Sequence, residues 1–544
     1  MTSSTTAVPE PAQPGGPTVP PAAPPSAPPA MPARPAPLKG AQLALGTLAL
    51  SLATFMNVLD SSIANVAIPA ISGDVGVSPS QGTWVITSFG VANAISVPLT
   101  GWLTQRFGAV RLFTMSVLLF VLTSWLCGFA GSLETLVLFR VLQGLVAGPM
   151  IPLSQTLLLS SYPPSRAGTA LALWGMTTLV APVVGPLLGG WITDNISWPW
   201  IFYINVPVGL LSALLTWNIY RSRETATRKL PIDTVGLSLL VLWVGALQLM
   251  LDKGKELDWF ASGEIITMAV VALVSLAVFV VWELTDAHPV VELRLFKRRN
   301  FAAGSLALSI AYGVFFGNVV LLPLWLQQWL GYTSTSAGMA LAPVGILAIV
   351  LTPLVGKKVG SWDPRWMATG AFVVFATVLW MRSHFTIETD FFHILVPTLI
   401  QGVAMAFFFI PLTTITLSGL TPDRIPAAAG LSNFVRITAG AMGTSIATTL
   451  WDSRATMHHA HLTETLVQGQ GTFAITLNQL QVAGMTQEQA LAQINRLIDQ
   501  QAFTLAANDI FWASSVLFLV LIVLIWLTKR PAGHAGAADA GGAH

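Results

Sequence analysis

Long apolar stretches alternate with short polar ones along almost the whole chain. Runs of roughly 20 apolar residues, the length a helix needs to cross bilayer hydrocarbon, centre near residues 52, 92, 121, 145, 180, 210, 243, 274, 312, 347, 375, 404, 439 and 518. Barrel strands would be about half as long and would alternate apolar with polar positions, so the pattern predicts fourteen spanning helices. Two stretches carry the same punctuation. QGLVAGPMIPLSQTLLLSSYPPSR runs from Gln143 to Arg166 and QGVAMAFFFIPLTTITLSGLTPDR from Gln401 to Arg424, sharing Gln-Gly, Pro-Leu-Ser/Thr and Pro-x-Arg in that order. The offset is 259 residues at Pro152 and Pro411 and 258 at Arg166 and Arg424, which marks an internal duplication. The fourth span thus matches the twelfth, a shift of eight where a bare six-span duplication would shift by six. Two extra helices, near residues 235–252 and 264–284, therefore lie between the halves. Two membrane units facing each other across a central site form an architecture that opens alternately to either side.

The chain of 544 residues is 53% hydrophobic and only 9% charged, against about 25% charged in an ordinary soluble protein. So few charges cannot present a wetted surface, and backbone facing lipid must bond within helices. The net charge of +2 is spread between spans rather than gathered on one face, so no nucleic-acid surface is expected. Of the 26 basic residues, 19 fall in the tails or the even-numbered loops, including the groups Arg221, Arg223, Arg228, Lys229 and Arg294, Lys297, Arg298, Arg299 and the pair Lys357, Lys358. That asymmetry predicts both termini in the cytoplasm. The lone cysteine, Cys127, excludes an intrachain disulfide and reads as a small buried or lipid-facing side chain.

The expected organisation follows. Residues 1–40 form a Pro-rich cytoplasmic tail, since 13 of the 35 prolines fall in residues 1–38 with almost no large apolar residue to bury. The start lacks the basic region and compact apolar core of a signal peptide. Residues 41–230 form an N-terminal six-helix bundle, 231–290 the two inserted helices, 291–530 a C-terminal six-helix bundle, and 531–544 a second cytoplasmic tail. Residues 451–508, polar and between the last two spans, fall outside. There Thr486 and Gln489 have capping-box spacing, and Leu491, Ile494, Ile498 and Leu505 recur at roughly helical intervals. An amphipathic helix there packs on the molecule's own outer surface or docks a partner protein.

Asp60 is a carboxylate in the first span, where a charge costs roughly 3 kcal/mol on insertion scales. Desolvation favours its neutral form, so it is a candidate to load and release a proton; the alternative is a cap at a helix break near Pro69. Arg140 lies three residues before Gln143 on the same face of the fourth span and, unable to shed its proton, needs acceptors. Its bond is either structural or changes with the protonation of a nearby acid, and Arg436 in the thirteenth span poses the same question. In the fifth span Ala181, Gly185 and Gly189 share a face among Pro182, Pro186 and Gly190, suiting close packing or a seal at one end of a transport path. Gly101, Arg106, Gly108 and Arg111 form a short loop that is a topological anchor or a latch. Phe315, Phe316 and Phe408 line an apolar pocket or face lipid, and His458, His459 and His461 read as solvated surface. No phosphate-binding G-x-x-x-x-G-K-S/T, nucleophile elbow or zinc-ligand helix occurs, so an ATP-driven pump or an enzyme is not expected, nor a cofactor or metal.

LDSSIANVAIPAI in the first span, GWLTQRFGAVRL in the second loop, FRVLQGLVAGPMIPLSQ in the fourth span and APVVGPLLGGWITDNISWPWIFYINVPVG through the fifth and sixth resemble the 14-span drug:proton antiporters of the major facilitator superfamily. The resemblance runs from about residue 41 to 528. It implies an all-helical major-facilitator fold, two six-helix bundles plus two extra helices, that exports hydrophobic drugs and toxicants across the bacterial inner membrane in exchange for protons. It also implies a periplasmic adaptor and an outer-membrane channel of the TolC type as partners. By motif position, Asp60 matches the family's first-span acid, Arg140, Gln143 and Gly144 its fourth-span motif, Gly185, Pro186, Gly189 and Gly190 its antiporter motif, and Gly101, Arg106, Gly108 and Arg111 its cytoplasmic-loop motif. Gln105 departs from that last motif, which often carries an acid there. Export of an endogenous metabolite or siderophore by the same machinery is the alternative.

Overall fold

The computed structural model describes residues 36–530 except 78, 83, 229–230, 232, 255–256, 288, 333, 360, 422–423 and 469, and excludes the side chains of a few more, among them Pro182, Pro186, Asp194 and Asp252. Both expected tails thus fall almost wholly outside the described residues. Helices run through the chain in the order its apolar stretches prescribe. The first six spans are Gly40–Asp74; Trp84–Ser96 with Thr100–Phe107; Ala109–Gly128; Leu133–Ala147 with Met150–Ser161; Ala167–Asn195; and Asn205–Tyr220. The inserted pair is Thr234–Lys253 and Gly263–Thr285. The last six are Arg299–Gln328; Ser334–Leu341 with Val344–Lys358; Pro364–Arg382; Phe391–Thr416; Ile425–Gln468; and Gln487–Trp526.

Polar residues at the ends of the apolar runs start these helices by accepting otherwise orphaned backbone N–H groups. Ser132 accepts from Thr135 N (3.3 Å), Asp233 from Gly236 N (2.8 Å), Asp390 from His393 N (2.9 Å) and Thr486 from Gln489 N (3.3 Å). The second span bends by 62° between its two helices, where Pro98 lacks a donor to continue the ladder. Among the described residues, ten helices are long and apolar enough to cross a membrane, eleven with that bent pair. Outward faces suit lipid: Val270, Leu273, Val274 and Val281 of the eighth span are all more than half exposed.

Each half has its own core, one built from Leu50, Met56, Phe113, Phe120 and Leu153, the other from Leu322, Trp325, Phe372, Phe408 and Phe511. The inserted pair leans on the seam between the second and thirteenth spans, with Leu240, Trp243, Val244 and Phe279 packed against Ile95, Val97, Leu431 and Phe434. Between the halves, the fifth and tenth spans meet glycine to glycine. A Cβ on Gly168 would stand 2.3 Å from Gly356 O, and one on Gly356 2.7 Å from Gly168 O. The region 451–508 is helical almost throughout, because the last two spans continue beyond their apolar lengths and Gln470–Val482 lies between them. The capping box at Thr486 is present, and Ile494 is buried while Leu491 and Leu505 stay exposed.

Candidate functional site

Asp60 is fully buried, and every one of the first six spans reaches its neighbourhood. Arg140 donates from Nη1 to Asp60 Oδ2 at 2.5 Å. Gln143 Nε2 and Asn205 Nδ2 donate to the other carboxylate oxygen at 3.1 and 2.9 Å. The Arg140 Nη1 also donates to Gln143 Oε1 (2.8 Å), and its Nε to the carbonyl of Val85 in the second span (2.9 Å). Asn205 is held in turn by Ser124 Oγ at 3.0 Å, whose hydroxyl donates to Phe202 O. The guanidinium lies over Phe89 at 4.2 Å and near Phe202 at 5.5 Å. One donor, Arg140 Nη2, is buried without a partner.

Glycines let the remaining spans approach. A Cβ on Gly185 would meet Ser62 Oγ at 2.5 Å, and one on Gly189 would meet Ile63 O at 2.9 Å, so the fifth span lies backbone to backbone on the residues just after Asp60. Gly190 is half-buried on the same helix, and the side chain of Pro186 lies outside the described residues. Gly144 serves the second span in the same way, its hypothetical Cβ standing 2.4 Å from Phe89 O. The repeat reproduces this contact, since a Cβ on Gly402 would stand 2.4 Å from Val344 O. What the repeat does not reproduce is the acid. Gln401 accepts from buried Arg382 (2.7 Å) of the eleventh span, and the polar residue at the position matching Asp60 is Asn318, bonded to Ser514 at 3.0 Å. One half holds an ion pair and the other holds neutral groups around a cation.

The loop after the second span is held by a residue the sequence pattern did not single out. The Glu224 carboxylate, just past the sixth span, accepts from Val110 N (3.0 Å) and Arg111 N (2.9 Å) and packs where Gly108, with φ +88°, has no Cβ. An acid thus reaches the loop from elsewhere although Gln105 carries none. Arg111 lies 4.0 Å from Glu224 but is 65% exposed, while Arg106 stacks over Trp102 at 5.6 Å. A Cβ on Gly101 would stand 3.0 Å from Ala427 Cβ of the thirteenth span. Of the aromatic candidates, Phe408 is buried among Phe372, Phe375 and Phe409, while half-buried Phe315 and Phe316 pack on each other and on Phe375 and Tyr312. His458 pairs with Asp509 at 2.8 Å and His459 with Asn495 at 3.1 Å, tying the outward extensions of the last two spans together.

Between the halves lies a narrow cavity of about 10 Å³, lined by Gln155 and Trp174 from one half and by Phe409, Thr413, Ser432, Asn433 and Arg436 from the other. The sequence showed Arg436 but not this cavity, because helix pairing across the seam leaves no local trace.

The family model described as Major Facilitator Superfamily matches residues 50–444. The chain is 54% identical over 509 residues to the multidrug export protein EmrB of Escherichia coli (strain K12), covering 93% of this chain and 99% of that protein. It is 52% identical to the fatty acid resistance protein FarB of Neisseria gonorrhoeae, again over 93% of this chain and 99% of that one. Among solved structures, the proton:xylose symporter XylE aligns with a TM-score of 0.55 at 13% identity, covering 89% of this chain and 95% of that one. The human organic anion transporter MFSD10 aligns at 0.55 and 12%, covering 90% of this chain and 100% of the other. At those identities the likeness speaks for the fold alone.

Proposed function

This chain belongs to the major facilitator superfamily of membrane transporters, and we propose that it is a proton-coupled exporter of hydrophobic drugs and toxicants. Export of such compounds is supported by the multidrug export relative at 54% identity across nearly the whole of both chains. The observation that carries proton coupling is the buried Asp60–Arg140 pair, a titratable acid sealed among the first six spans and tied to a cation that cannot deprotonate.

In this reading Asp60 and Arg140 attract each other while the carboxylate is charged, and Gln143 and Asn205 fill its other oxygen. Protonation of Asp60 removes the counter-charge from Arg140, which keeps only the neutral acceptors Val85 O and Gln143 Oε1. Leaving one partner of a buried pair uncompensated costs about 3 to 5 kcal/mol, enough to shift the balance between two arrangements of the helices. The first and fifth spans move as one because Gly185 and Gly189 allow no slack against Ser62 and Ile63. Cargo leaving on one side while a proton enters on the other completes the exchange.

The site lies in the inner membrane of the bacterium with both termini in the cytoplasm, as the distribution of basic residues supports. The helical extensions beyond the thirteenth and fourteenth spans offer the outward surface on which a periplasmic adaptor and a TolC-type channel would assemble. Asp60→Asn keeps the size and most hydrogen bonds of the site and removes its proton chemistry. In proteoliposomes it is expected to abolish drug-driven proton release while the protein still inserts and purifies as a folded species; full transport by this variant would refute the coupling role.

A further inference from the structure

The inserted pair carries an acid that the transport site does not use. Glu283, in the last turn of the eighth span, is fully buried. Its Oε2 accepts from Val291 N at 3.0 Å, while its Oε1 is buried with no partner. That oxygen faces another carboxylate. A Cβ on Gly236 of the seventh span would stand 2.6 Å from Glu283 Oε1 and 2.2 Å from Asp233 Oδ2, so acids from two helices converge on the space this glycine leaves open. Half-buried Asp233 has both oxygens engaged, Oδ1 by Gly236 N at 2.8 Å and Oδ2 by Trp282 Nε1 at 2.9 Å. Asp286, which ends the eighth span, brings a further negative charge to bear on Glu283. Arg294 turns to the carbonyls of Leu284 and Asp286, and among the described residues no cation pairs with Glu283 or Asp233.

Two carboxylates that meet in a place poor in water cannot both stay charged cheaply, and one proton between them relieves the repulsion. The negative carbonyl end of the eighth span works in the same direction. Hydrogen bonding says which oxygen carries it: Glu283 Oε1 has no donor to accept from, and as a hydroxyl it would donate to Asp233 Oδ2 and cease to be orphaned. We propose that Glu283 binds a proton, at a second site apart from Asp60, and that this proton holds the inserted pair together at its inner end.

The bond to Val291 roots this site in the linker that follows. Val290, Val291 and Leu295 of that linker share one buried core with Ile95 and Val97 of the second span and Leu431 and Phe434 of the thirteenth. These are the two spans that also meet at Gly101 and Ala427. Glu292 pairs with Arg424 at 3.4 Å and Arg298 donates to Gly419 O at 2.6 Å, fixing the same linker to the loop before the thirteenth span. Loss of the proton sets like charges face to face between the inserted helices and frees the linker from the seam. The group Arg294, Lys297, Arg298 and Arg299 puts the linker on the cytoplasmic side. The proton is therefore drawn from the cytoplasm, and a rise in cytoplasmic pH loosens the inner end of the seam.

The test follows the carbonyl stretch of a neutral carboxylic acid by infrared spectroscopy of the purified full chain in lipid, titrated from acid to alkaline pH. Wild type is expected to lose one such band as the pH rises, a band absent at every pH from Glu283→Gln but present in Asp60→Asn. Asp233→Asn keeps the helix cap and removes the facing charge, and is expected to move the loss of the band to lower pH. Should no band depend on Glu283, or should Asp233→Asn leave the loss where it is, Glu283 and Asp233 share no proton and the inference fails. The hold on the seam is read from the rate at which the double variant Gly101→Cys, Ala427→Cys cross-links. Compared in the same buffer with the chain that keeps Glu283, Glu283→Gln is expected to raise that rate several-fold at alkaline pH and to leave it unchanged at acid pH. Equal rates at both would mean that the proton is bound but braces nothing, which overturns the second half of the proposal. Each outcome leaves the exporter reading standing, since none of them turns on Asp60.

Discussion

At the scale of single residues, the site depends as much on absent side chains as on present ones. Gly144 sits beside Gln143, and a Cβ there would stand 2.4 Å from Phe89 O and 2.8 Å from Ala92 Cβ. Neither the carbonyl oxygen nor the Cβ can rotate away, so the fourth span must back off from the second, and such overpacking costs about 1 to 3 kcal/mol. Gly175 in the fifth span has nothing within 4 Å of its hypothetical Cβ. Gly144→Ala is therefore expected to lower the thermal unfolding midpoint of the purified protein, while Gly175→Ala leaves it unchanged or raises it; equal shifts would mean that the packing at Gly144 is not what constrains it. Asp60 and Arg140 were legible in the chain because charge inside an apolar run stands out against its surroundings, and Gln143 because the repeat marks it. Their partners were not. Asn205 and Ser124 are neutral polar residues of a common kind, brought to Asp60 only by the packing of the sixth and third spans. Glu224 was hidden for the opposite reason, as one charge among several in a basic segment far along the chain from the loop it holds.

At the scale of elements, hydropathy locates where the chain meets lipid, and it located the inserted pair to within two residues at either end. It does not locate where a helix stops. The thirteenth span runs on to Gln468 and the fourteenth begins at Gln487, in a region polar enough to look like a loop, because water tolerates a helix that lipid would require. Breaks inside spans need a different signal: the bend of 62° in the second falls at Pro98, between the apolar helix Trp84–Ser96 and the more polar Thr100–Phe107. The sidedness of the elements can be measured directly, since Cys127 is fully buried and gives little background to thiol reagents. Ala261→Cys, between the inserted helices, is expected to react with a membrane-impermeant maleimide in intact cells. Ser361→Cys, between the tenth and eleventh spans, is expected to react only after the membrane is opened. The reverse pattern would invert the topology and with it the direction of export.

At the scale of the whole molecule, alternation requires that the two halves part at one end while they meet at the other. The repeat made two halves legible from Gln143 and Gln401 alone, yet it could not say where they touch, because contacts across a seam obey no periodicity within either half. Those contacts are now specific. On the side that carries the basic loops, Gly101 meets Ala427, with a Cβ-to-Cβ separation of 3.0 Å for a Cβ built on the glycine. A disulfide wants about 3.8 Å between its Cβ atoms, so a shift of less than an ångström would admit one. Gly101→Cys with Ala427→Cys is expected to form that bond under mild oxidation, since the lone native thiol is buried. The cross-linked protein should lose export completely and recover it on reduction, because the second and thirteenth spans can no longer separate to admit cargo from the cytoplasm. The cross-link leaves the Asp60–Arg140 pair untouched, as that pair lies wholly within one half. Export at full rate with the bond demonstrably closed would mean that these two spans stay together throughout the cycle and that the inner opening lies elsewhere along the seam, with the glycine contact of the fifth and tenth spans, Gly168 on Gly356, as the next pair to lock.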